Sequence, residues 1–240
     1  MIYRAFRDAP VQFERMNDSA IKPTTRPIVV LVSGRGSNLQ ALLTTAAAER
    51  WDTEVGARIA AVVSSRADAK ALDVARAHKV PVHILPHGEF GSRAAFDQAL
   101  ARTIERYPSA LIVLAGFMRV LTPEFVRLYA GRLINIHPSL LPSFPGLNTH
   151  QRALDAGVRV HGATVHFVSD EVDAGPIIAQ AAVAVHVDDD RASLAARVLQ
   201  QEHLLLPQAV RHVLEGRVRY HERRAVLKDI ARGELSVLAP

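Results

Sequence analysis

The sequence predicts an α/β fold built on a Rossmann-like, doubly wound and mostly parallel sheet. Apolar runs of strand length recur between residues 28 and 137, and amphipathic stretches of helical length separate them. Turns containing glycine or proline connect the two kinds of segment. Continuous apolar runs are typical of parallel strands that are buried on both faces. Their alternation with helices predicts three layers, with helices on either side of the sheet.

The individual elements follow in chain order. We expect strands at 28–32, 59–63, 82–85, 111–115 and 133–137, and helices at 39–50, in an Ala-rich stretch through His78, and at 93–106. A Pro-rich loop then leads to a short helix near 151–156 and to two strands at 162–168 and 177–187. This last pair has no helix between its strands, which predicts an antiparallel C-terminal strand pair. A long amphipathic helix at 191–214 follows three aspartates that suit a helix N-terminus.

The 240 residues are expected to form one main domain. Nothing resembling a linker divides residues 27–210, so we place a single domain at 27–215. Residues 1–26 are predicted to be a flexible N-terminal extension, and residues 216–240 a basic C-terminal helix or tail.

The net charge of +5 lies at the two ends of the chain. Residues 27–210 carry 17 basic and 17 acidic side chains, whereas residues 1–26 carry 5 and 3, and residues 211–240 carry 7 and 4. A balanced body gives little support for a duplex-binding face. We therefore expect no nucleic-acid partner, and a nucleic-acid-binding module stays a distant alternative.

The composition also excludes several kinds of site. The chain has no cysteine, which excludes disulfides, thiolate nucleophiles and cysteine-bound metals. It has no H-E-x-x-H pattern, so no metal is expected. No apolar stretch approaches the ~20 residues that cross a bilayer, and no secretory signal is visible, so we expect a cytoplasmic protein without a membrane partner.

The loop after the first strand is a candidate anion site formed by Gly34, Arg35, Gly36, Ser37 and Asn38. Backbone N–H groups and a helix dipole converge at this position of a parallel sheet. Ser37 and Asn38 can cap the helix or donate hydrogen bonds to a phosphate. Leu39 stands where the dinucleotide fingerprint needs a third small residue, so a single phosphate fits better than a dinucleotide. A plain strand-to-helix turn is the alternative.

Two polar side chains at the end of the fifth strand form a second candidate site. Asn135 and His137 alternate with isoleucines and therefore share one face of the strand. Pro138 keeps His137 extended. A polar pair on an apolar strand is costly to bury without partners, which favours a functional interpretation over two side chains bonded into the sheet.

The segment after residue 160 adds histidines and acids. His161 and His166 are an odd number of residues apart, so on a straight strand they face opposite ways and suit no shared metal. Acids are common in loops, but Asp173 precedes Ala-Gly-Pro, a sequence that fixes the backbone tightly.

Four stretches together resemble the folate-dependent formyltransferases. They are Ser33–Leu39, Asn135–Pro142, Gly146 and His161–Pro176, in the same order as in that family. The chain is most similar to the members that formylate glycinamide ribonucleotide, and the resemblance spans residues 27–215. It implies the three-layer formyltransferase fold. We expect neither the N-terminal regulatory domain of the related deformylases nor the C-terminal tRNA-binding domain of the methionyl-tRNA enzymes, because the two ends are too short.

The resemblance implies a role for each candidate residue. Asn135, His137 and Asp173 would be catalytic, residues 34–38 would hold the 5′-phosphate of the ribonucleotide, and Glu202 would contact its ribose or amine side. The residues that would receive the folate are Arg93, Met118, Arg119, Val120, Leu121, Asn135, Asp170 and Asp173. Two positions depart from the family: Asn148, where some relatives carry histidine, and Leu199, which is sometimes polar.

The implied activity is direct formyl transfer from 10-formyltetrahydrofolate to the amine of glycinamide ribonucleotide, a step of de novo purine biosynthesis. Asn135 and His137 would donate to the oxyanion of a tetrahedral intermediate. Asp173 would favour the protonated form of His137 and position a water that carries the amine proton to N10. The partners would be these small molecules, and the protein a monomer or homodimer. Hydrolysis of 10-formyltetrahydrofolate is the alternative reaction.

Overall fold

The structure, a computed structural model, describes residues 25–108, 110–229 and 236–238. Most of the expected N-terminal extension, residues 1–24, lies outside this range. The strands are β1 (Arg26–Val32), β2 (Ala57–Ser64), β3 (Val82–Ile84), β4 (Leu111–Leu114), β5 (Leu133–His137), β6 (Val160–Phe167), β7 (Ile177–Ala184), β8 (Val218–His221), β9 (Arg224–Leu227) and β10 (Ser236–Leu238). The helices are α1 (Ser37–Ala48), α2 (Trp51–Glu54), α3 (Ala71–Ala77), α4 (Arg93–Ile104), α5 (Pro123–Leu128), α6 (Thr149–Asp155) and α7 (Arg191–Leu214).

Eight strands form the main sheet in the order β10-β7-β6-β5-β4-β1-β2-β3. The pairs β3–β2, β2–β1, β1–β4 and β4–β5 are parallel, whereas β6 is antiparallel to both β5 and β7. This confirms the doubly wound, mostly parallel sheet and the antiparallel C-terminal pair.

The alternating side chains of β1 supply two cores, one on each face of the sheet. Ile28 and Val30 pack with residues of α1, α3 and α7, and Val29 and Leu31 pack with residues of α4 and α5. All four side chains are fully buried. Because β1 contributes side chains to both cores, its sequence is a continuous hydrophobic run. The two cores confirm the three layers.

The long helix α7 begins and ends at the residues that its sequence pattern predicts. Asp190 caps it by accepting from the backbone N–H of Ser193 at 2.8 Å, and the Ser193 hydroxyl accepts from the Asp190 backbone N–H at 3.0 Å. Such a capping box stabilises a helix by satisfying two of its unpaired donors. Among the residues described, no helix has the length and apolar character that crossing a bilayer requires.

The C-terminal helix expected within residues 216–240 is wrong for residues 218–227, which form the antiparallel β8–β9 hairpin. Glu222 and Arg223 form its two-residue turn with φ of 47° and 60°, the left-handed values that such turns require. Tyr220 lies edge-on to Phe167 of β6, at 5.4 Å between ring centroids. The side chains of β8 alternate between the main domain and solvent, which favours strands over a helix.

The sheet reverses its strand order between β1 and β4. From β1 the chain passes to β2 and β3 on one side, and then crosses to β4 and β5 on the other. Ligands of open α/β sheets bind beyond the carboxyl ends of the strands at such a point. Most of the candidate residues lie at this edge, in the turn from β1 into α1, in the loop after β4 and at the end of β5.

Gly162 tests how closely β6 and β7 pack. A Cβ at this position would lie 1.9 Å from the carbonyl oxygen of Ala181, whereas a Cβ at Gly88 would meet nothing within 4 Å. Since backbone atoms cannot move aside cheaply, Gly162→Ala is expected to lower the free energy of unfolding by about 3 kcal/mol or more. The control Gly88→Ala should stay within about 0.5 kcal/mol of the original protein. Urea denaturation measures both, and equal midpoints would contradict the strand packing.

Candidate active site

His137, the last residue of β5, is buried and faces two hydrogen-bond acceptors. Its Nε2 lies 3.1 Å from the carbonyl oxygen of Phe144, and its Nδ1 lies 3.4 Å from Oδ2 of Asp173. Only 7% of the His137 side chain and 11% of the Asp173 side chain are exposed. Each ring nitrogen of His137 therefore faces an oxygen that can accept a hydrogen bond.

Asn135 lies on the same strand, one alternation earlier, and is held by His166. The register of β5 and β6 places the two residues opposite each other, and Asn135 Nδ2 donates to His166 Nε2 at 3.2 Å. His166 Nδ1 donates to the carbonyl oxygen of Phe167 at 2.9 Å. This bonding needs a neutral ring with its proton on Nδ1. One N–H of the Asn135 amide is then left for another acceptor.

Asp173 reaches the site through a loop with a constrained backbone. Its φ is 54°, a left-handed value that aspartate tolerates better than most residues. The backbone N–H of Gly146 donates to Asp173 Oδ2 at 2.7 Å. A Cβ at Gly175 would lie 1.7 Å from the carbonyl oxygen of Phe167, so only glycine lets the loop fold back on β6 here.

A buried threonine fixes the start of the loop after β5. Thr164 Oγ1 donates to the carbonyl oxygen of Ser139 at 2.7 Å and accepts from the backbone N–H of Leu141 at 3.0 Å. Gln180 of β7 donates to the same hydroxyl at 3.0 Å. This network anchors the segment that carries Phe144 and Gly146 to the neighbouring strands.

Burial keeps three histidines around His137 neutral. Desolvation lowers the pKa of His166, although the Phe167 carbonyl and Asp173 act in the opposite direction. The pKa of His161 falls to about 4, mainly through burial and also through His150. Burial lowers the pKa of His150 as well. These three histidines therefore bring no positive charge to the contact between His137 and Asp173 at neutral pH.

The anion loop lies at the turn from β1 into α1, as its sequence predicts, and of the two roles open to Ser37 and Asn38, neither side chain caps the helix. Gly36 is the N-cap residue of α1, with φ of 86° and no side-chain cap bond. A Cβ at Gly36 would meet Cα of Ala71 at 2.6 Å, so the turn needs glycine both for its φ and for close packing against α3. Gly34 and Arg35 are exposed.

Asn38 faces Glu202 instead of capping the helix. Its Nδ2 donates to Oε2 of Glu202 at 2.6 Å, and its Oδ1 is buried with no partner among the described residues. Burial raises the pKa of Glu202, against the lowering effects of Asn38 and of the Arg35 charge. The structure thus brings the predicted loop and the predicted acid of α7 together through this hydrogen bond.

The expected folate stretch follows β4 and is fixed at both ends. The backbone N–H of Met118 donates to Ser33 Oγ at 2.9 Å, and that of Thr122 donates to Asp97 Oδ2 at 2.6 Å. Met118 and Val120 are exposed, Arg119 is half-buried, and Leu121 is buried. Arg93 is exposed at the first position of α4, the helix that also carries Asp97.

The remaining named positions lie around this centre. Asp170 forms an exposed ion pair with Arg127 of α5, at 3.3 Å. Asn148 is exposed and takes a left-handed φ of 56° at the start of α6, and Leu199 is half-buried on α7. Among the residues described, no group of three or more histidine, aspartate or glutamate side chains could hold a metal ion. The absence of a metal stays a prediction.

Sequence patterns missed three partners of the site, namely His166, the Phe144 carbonyl and the Gly146 N–H. The pairing of Asn135 with His166 follows from the register between two strands, which no local pattern specifies. The two backbone groups belong to a loop without regular structure. The one sequence signal for the role of His166 is its position on a predicted strand that could pair with the strand of Asn135.

Comparison with known proteins identifies the family. The formyl transferase family matches residues 26–210. The chain belongs to this family. It is 46% identical over 200 residues to phosphoribosylglycinamide formyltransferase of Escherichia coli, an alignment that covers 83% of this chain and 92% of that protein.

Solved structures of the formyl transferase family share this fold. The phosphoribosylglycinamide formyltransferase of Coxiella burnetii superposes with a TM-score of 0.79 at 46% identity, covering 89% of this chain and 99% of that one. A formyltetrahydrofolate deformylase of Pseudomonas syringae superposes with a TM-score of 0.76 at 30% identity, but only 66% of that chain is covered. The first comparison confirms the formyltransferase fold, and both place the chain among formyl-group enzymes.

The low pKa of His161 predicts how stability depends on pH. An unfolded chain protonates this ring near pH 6.5, whereas the folded protein does so only near pH 4. The free energy of unfolding should therefore fall as the pH decreases from about 6.5 to about 4, by up to ~1.4 kcal/mol for each pKa unit. Denaturant titrations across this range should show a shallower fall for His161→Gln. An unchanged slope in that variant would contradict a neutral, buried His161.

Proposed function

We propose that this chain transfers the formyl group of 10-formyltetrahydrofolate to the amine of glycinamide ribonucleotide. The observation that carries the proposal is the cluster at the end of β5, where Asp173 faces His137 and Asn135 is bonded to His166, which also faces Asp173. Its donors and its acid suit acyl transfer through a tetrahedral intermediate. The identity to phosphoribosylglycinamide formyltransferase along most of both chains supports the substrate pair.

In the proposed reaction, the amine nitrogen of the ribonucleotide attacks the formyl carbon directly. The new C–N bond forms as the carbonyl electron pair moves to oxygen, and the resulting oxyanion accepts hydrogen bonds from Asn135 Nδ2 and His137 Nε2. The intermediate then collapses by breaking the bond between the formyl carbon and N10. A proton leaves the attacking amine and reaches N10, so the products are the formylated amine and tetrahydrofolate.

Asp173 has two tasks in this sequence. Its Oδ2 faces Nδ1 of His137, so it stabilises the doubly protonated ring that donates to the oxyanion. It also holds a water that carries the proton between the amine and N10. Because the site excludes bulk water around His137, these interactions are stronger than they would be in solution.

His137 must exchange one hydrogen-bond partner during the reaction. Its Nε2 now donates to the carbonyl of Phe144, which therefore occupies the direction that the oxyanion needs. Phe144 lies in the loop after β5 and has a left-handed φ of 55°. A small movement of this loop would free the donor as the substrates bind.

The substrates would approach from the two sides of the cluster. Backbone N–H groups of residues 34–38 would hold the 5′-phosphate, and Arg35 would add a positive charge. Asn38 and Glu202 offer acceptors for hydroxyl or amine hydrogens of the ribonucleotide. The folate would lie along Met118–Leu121, with Arg93 near its carboxylate tail and the Asp170–Asp173 loop closing over its ring.

A requirement for the amine substrate distinguishes formyl transfer from hydrolysis. The protein is incubated with 10-formyltetrahydrofolate, with and without glycinamide ribonucleotide, and tetrahydrofolate is measured. We expect release only when the amine is present. Release at the same rate without it would identify a deformylase, the activity of the Pseudomonas syringae relative.

Replacement of each cluster residue should slow turnover without unfolding the protein. Asn135→Ala and His137→Ala each remove an oxyanion donor, which is expected to lower kcat by ~10²–10³. We expect Asp173→Ala to have an effect of similar size because it removes the group that supports His137. Asp188→Ala and His221→Ala, at exposed positions, serve as controls. Near-normal kcat in a folded cluster variant would refute its assigned role.

We expect ionised Glu202 to lower the stability of the folded protein and to contribute to binding of the ribonucleotide. Since burial raises its pKa, its ionisation costs stability as the pH rises above about 4.5. Glu202→Gln removes this cost, so its thermal midpoint at pH 8 should equal or exceed that of the original protein. Its KM for glycinamide ribonucleotide should rise, since a neutral amide is a weaker acceptor. A lower midpoint with an unchanged KM would contradict both assignments.

A further inference from the structure

Ser33 connects the two loops that would hold the two substrates. It directly follows β1 and directly precedes the anion loop at Gly34. Its hydroxyl accepts from the backbone N–H of Met118, the first residue of the folate stretch, at 2.9 Å. Its own backbone N–H donates to the carbonyl oxygen of Gly116 at 3.1 Å. Two hydrogen bonds therefore tie the beginning of one loop to the beginning of the other.

These bonds lie where the sheet changes its strand order, between β1 and β4. Ser33 is buried, with 6% of its surface exposed, so water cannot replace a lost partner. The remaining bond of its hydroxyl, to Ser65 Oγ at 2.7 Å, reaches the end of β2. Ser65 in turn accepts, through its carbonyl oxygen, from the backbone N–H of His87 at 3.1 Å. One hydroxyl thus joins the carboxyl ends of three neighbouring strands.

The far ends of both loops are anchored elsewhere, so Ser33 is their shared point. The anion loop ends in α1, where Asn38 is bonded to Glu202 of α7. The folate stretch ends where the Thr122 N–H is bonded to Asp97 of α4. A ligand that orders one loop would therefore restrain the other mainly through Ser33 and its two contacts.

From this arrangement we propose that Ser33 is a positioning residue that couples the binding of the ribonucleotide to the binding of the folate. The inference rests on the proposed function, because it takes the two loops as the two substrate sites. A phosphate that orders Gly34–Asn38 fixes Ser33, and Ser33 in turn fixes the N–H of Met118. The folate then meets a stretch that is already in place, and each substrate raises the affinity of the other by the same factor.

The experiment measures this factor at equilibrium in a complex that does not react. The dissociation constant of tetrahydrofolate, the reaction product, is determined by calorimetry without and with saturating glycinamide ribonucleotide. The reciprocal measurement follows the ribonucleotide without and with tetrahydrofolate. We expect a ratio of about five or more in the original protein, and the same ratio in both directions.

Variants at two serines assign the coupling. Ser33→Ala removes the acceptor of the Met118 N–H and should bring the ratio close to one, with a higher KM for the folate. Ser65→Ala is the matched control, because it also removes a buried hydroxyl but leaves the bond between Ser33 and Met118, and it should keep the ratio. Ser33→Thr, which retains a hydroxyl, should keep it better than the equally large Ser33→Val. The Thr and Val pair decides the case if Ser33→Ala does not fold.

Two results would overturn the proposal. One is a ratio of one in the original protein, and the other is a ratio in Ser33→Ala or Ser33→Val equal to that of the original. Either can occur while formyl transfer to the amine proceeds normally, in which case the proposed function stands and the coupling falls. If the original protein transfers no formyl group to the amine, the proposed function itself has failed.

Discussion

The close packing of Gly175 against the carbonyl oxygen of Phe167 is the constraint on which the site depends. Because glycine has no Cβ, the loop between β6 and β7 can fold back over the sheet at this point, which brings Asp173 to His137. The Gly146 N–H then holds the carboxylate from the other side. The end of β5, the loop that follows it and the loop after β6 meet at one carboxylate, and none of them could form the site alone.

Burial gives this meeting point its chemical character. Desolvation lowers the pKa values of the neighbouring histidines, so His150, His161 and His166 are neutral where His137 and Asp173 face each other. These neutral rings do not compete with His137 for the carboxylate of Asp173, whose Oδ2 lies 3.4 Å from Nδ1 of His137. The carbonyl of Phe167 accepts the one proton of the neutral His166 ring from Nδ1, so Nε2 accepts from the amide of Asn135. Position and protonation therefore have a common cause in the packing of β5 against β6.

Much of this arrangement can be predicted from the sequence, for reasons that are local. The strand at 133–137 and the helix at 191–214 begin and end where their patterns predict, because long apolar periodicity and a capping box act on neighbouring residues. Asn135 and His137 could be identified because two polar residues at an apolar strand end are costly without a task. Gly36 and Gly175 carry backbone requirements that their motifs already indicate.

What could not be predicted depends on contacts between distant segments. The bond from Asn135 to His166 needs the register of an antiparallel pair, and the Phe144 carbonyl lies in a loop that only its tertiary contacts position. The hairpin at 218–227 is short and rich in charge, and the contact of Tyr220 with Phe167, which explains why it forms strands, joins distant parts of the chain. Likewise, nothing in the pattern around Ser33 shows that its hydroxyl meets the N–H of Met118, 85 residues away.

The fate of the formyl carbon tests the central claim most directly. The protein is mixed with 10-formyltetrahydrofolate labelled with ¹³C in the formyl group and with one equivalent of glycinamide ribonucleotide, and the carbon is followed by NMR. We expect the label to move from N10 to the amide of the ribonucleotide and formate to stay at the level of a protein-free sample. Appearance of the label in formate, with none on the ribonucleotide, would contradict direct transfer at Asn135, His137 and Asp173.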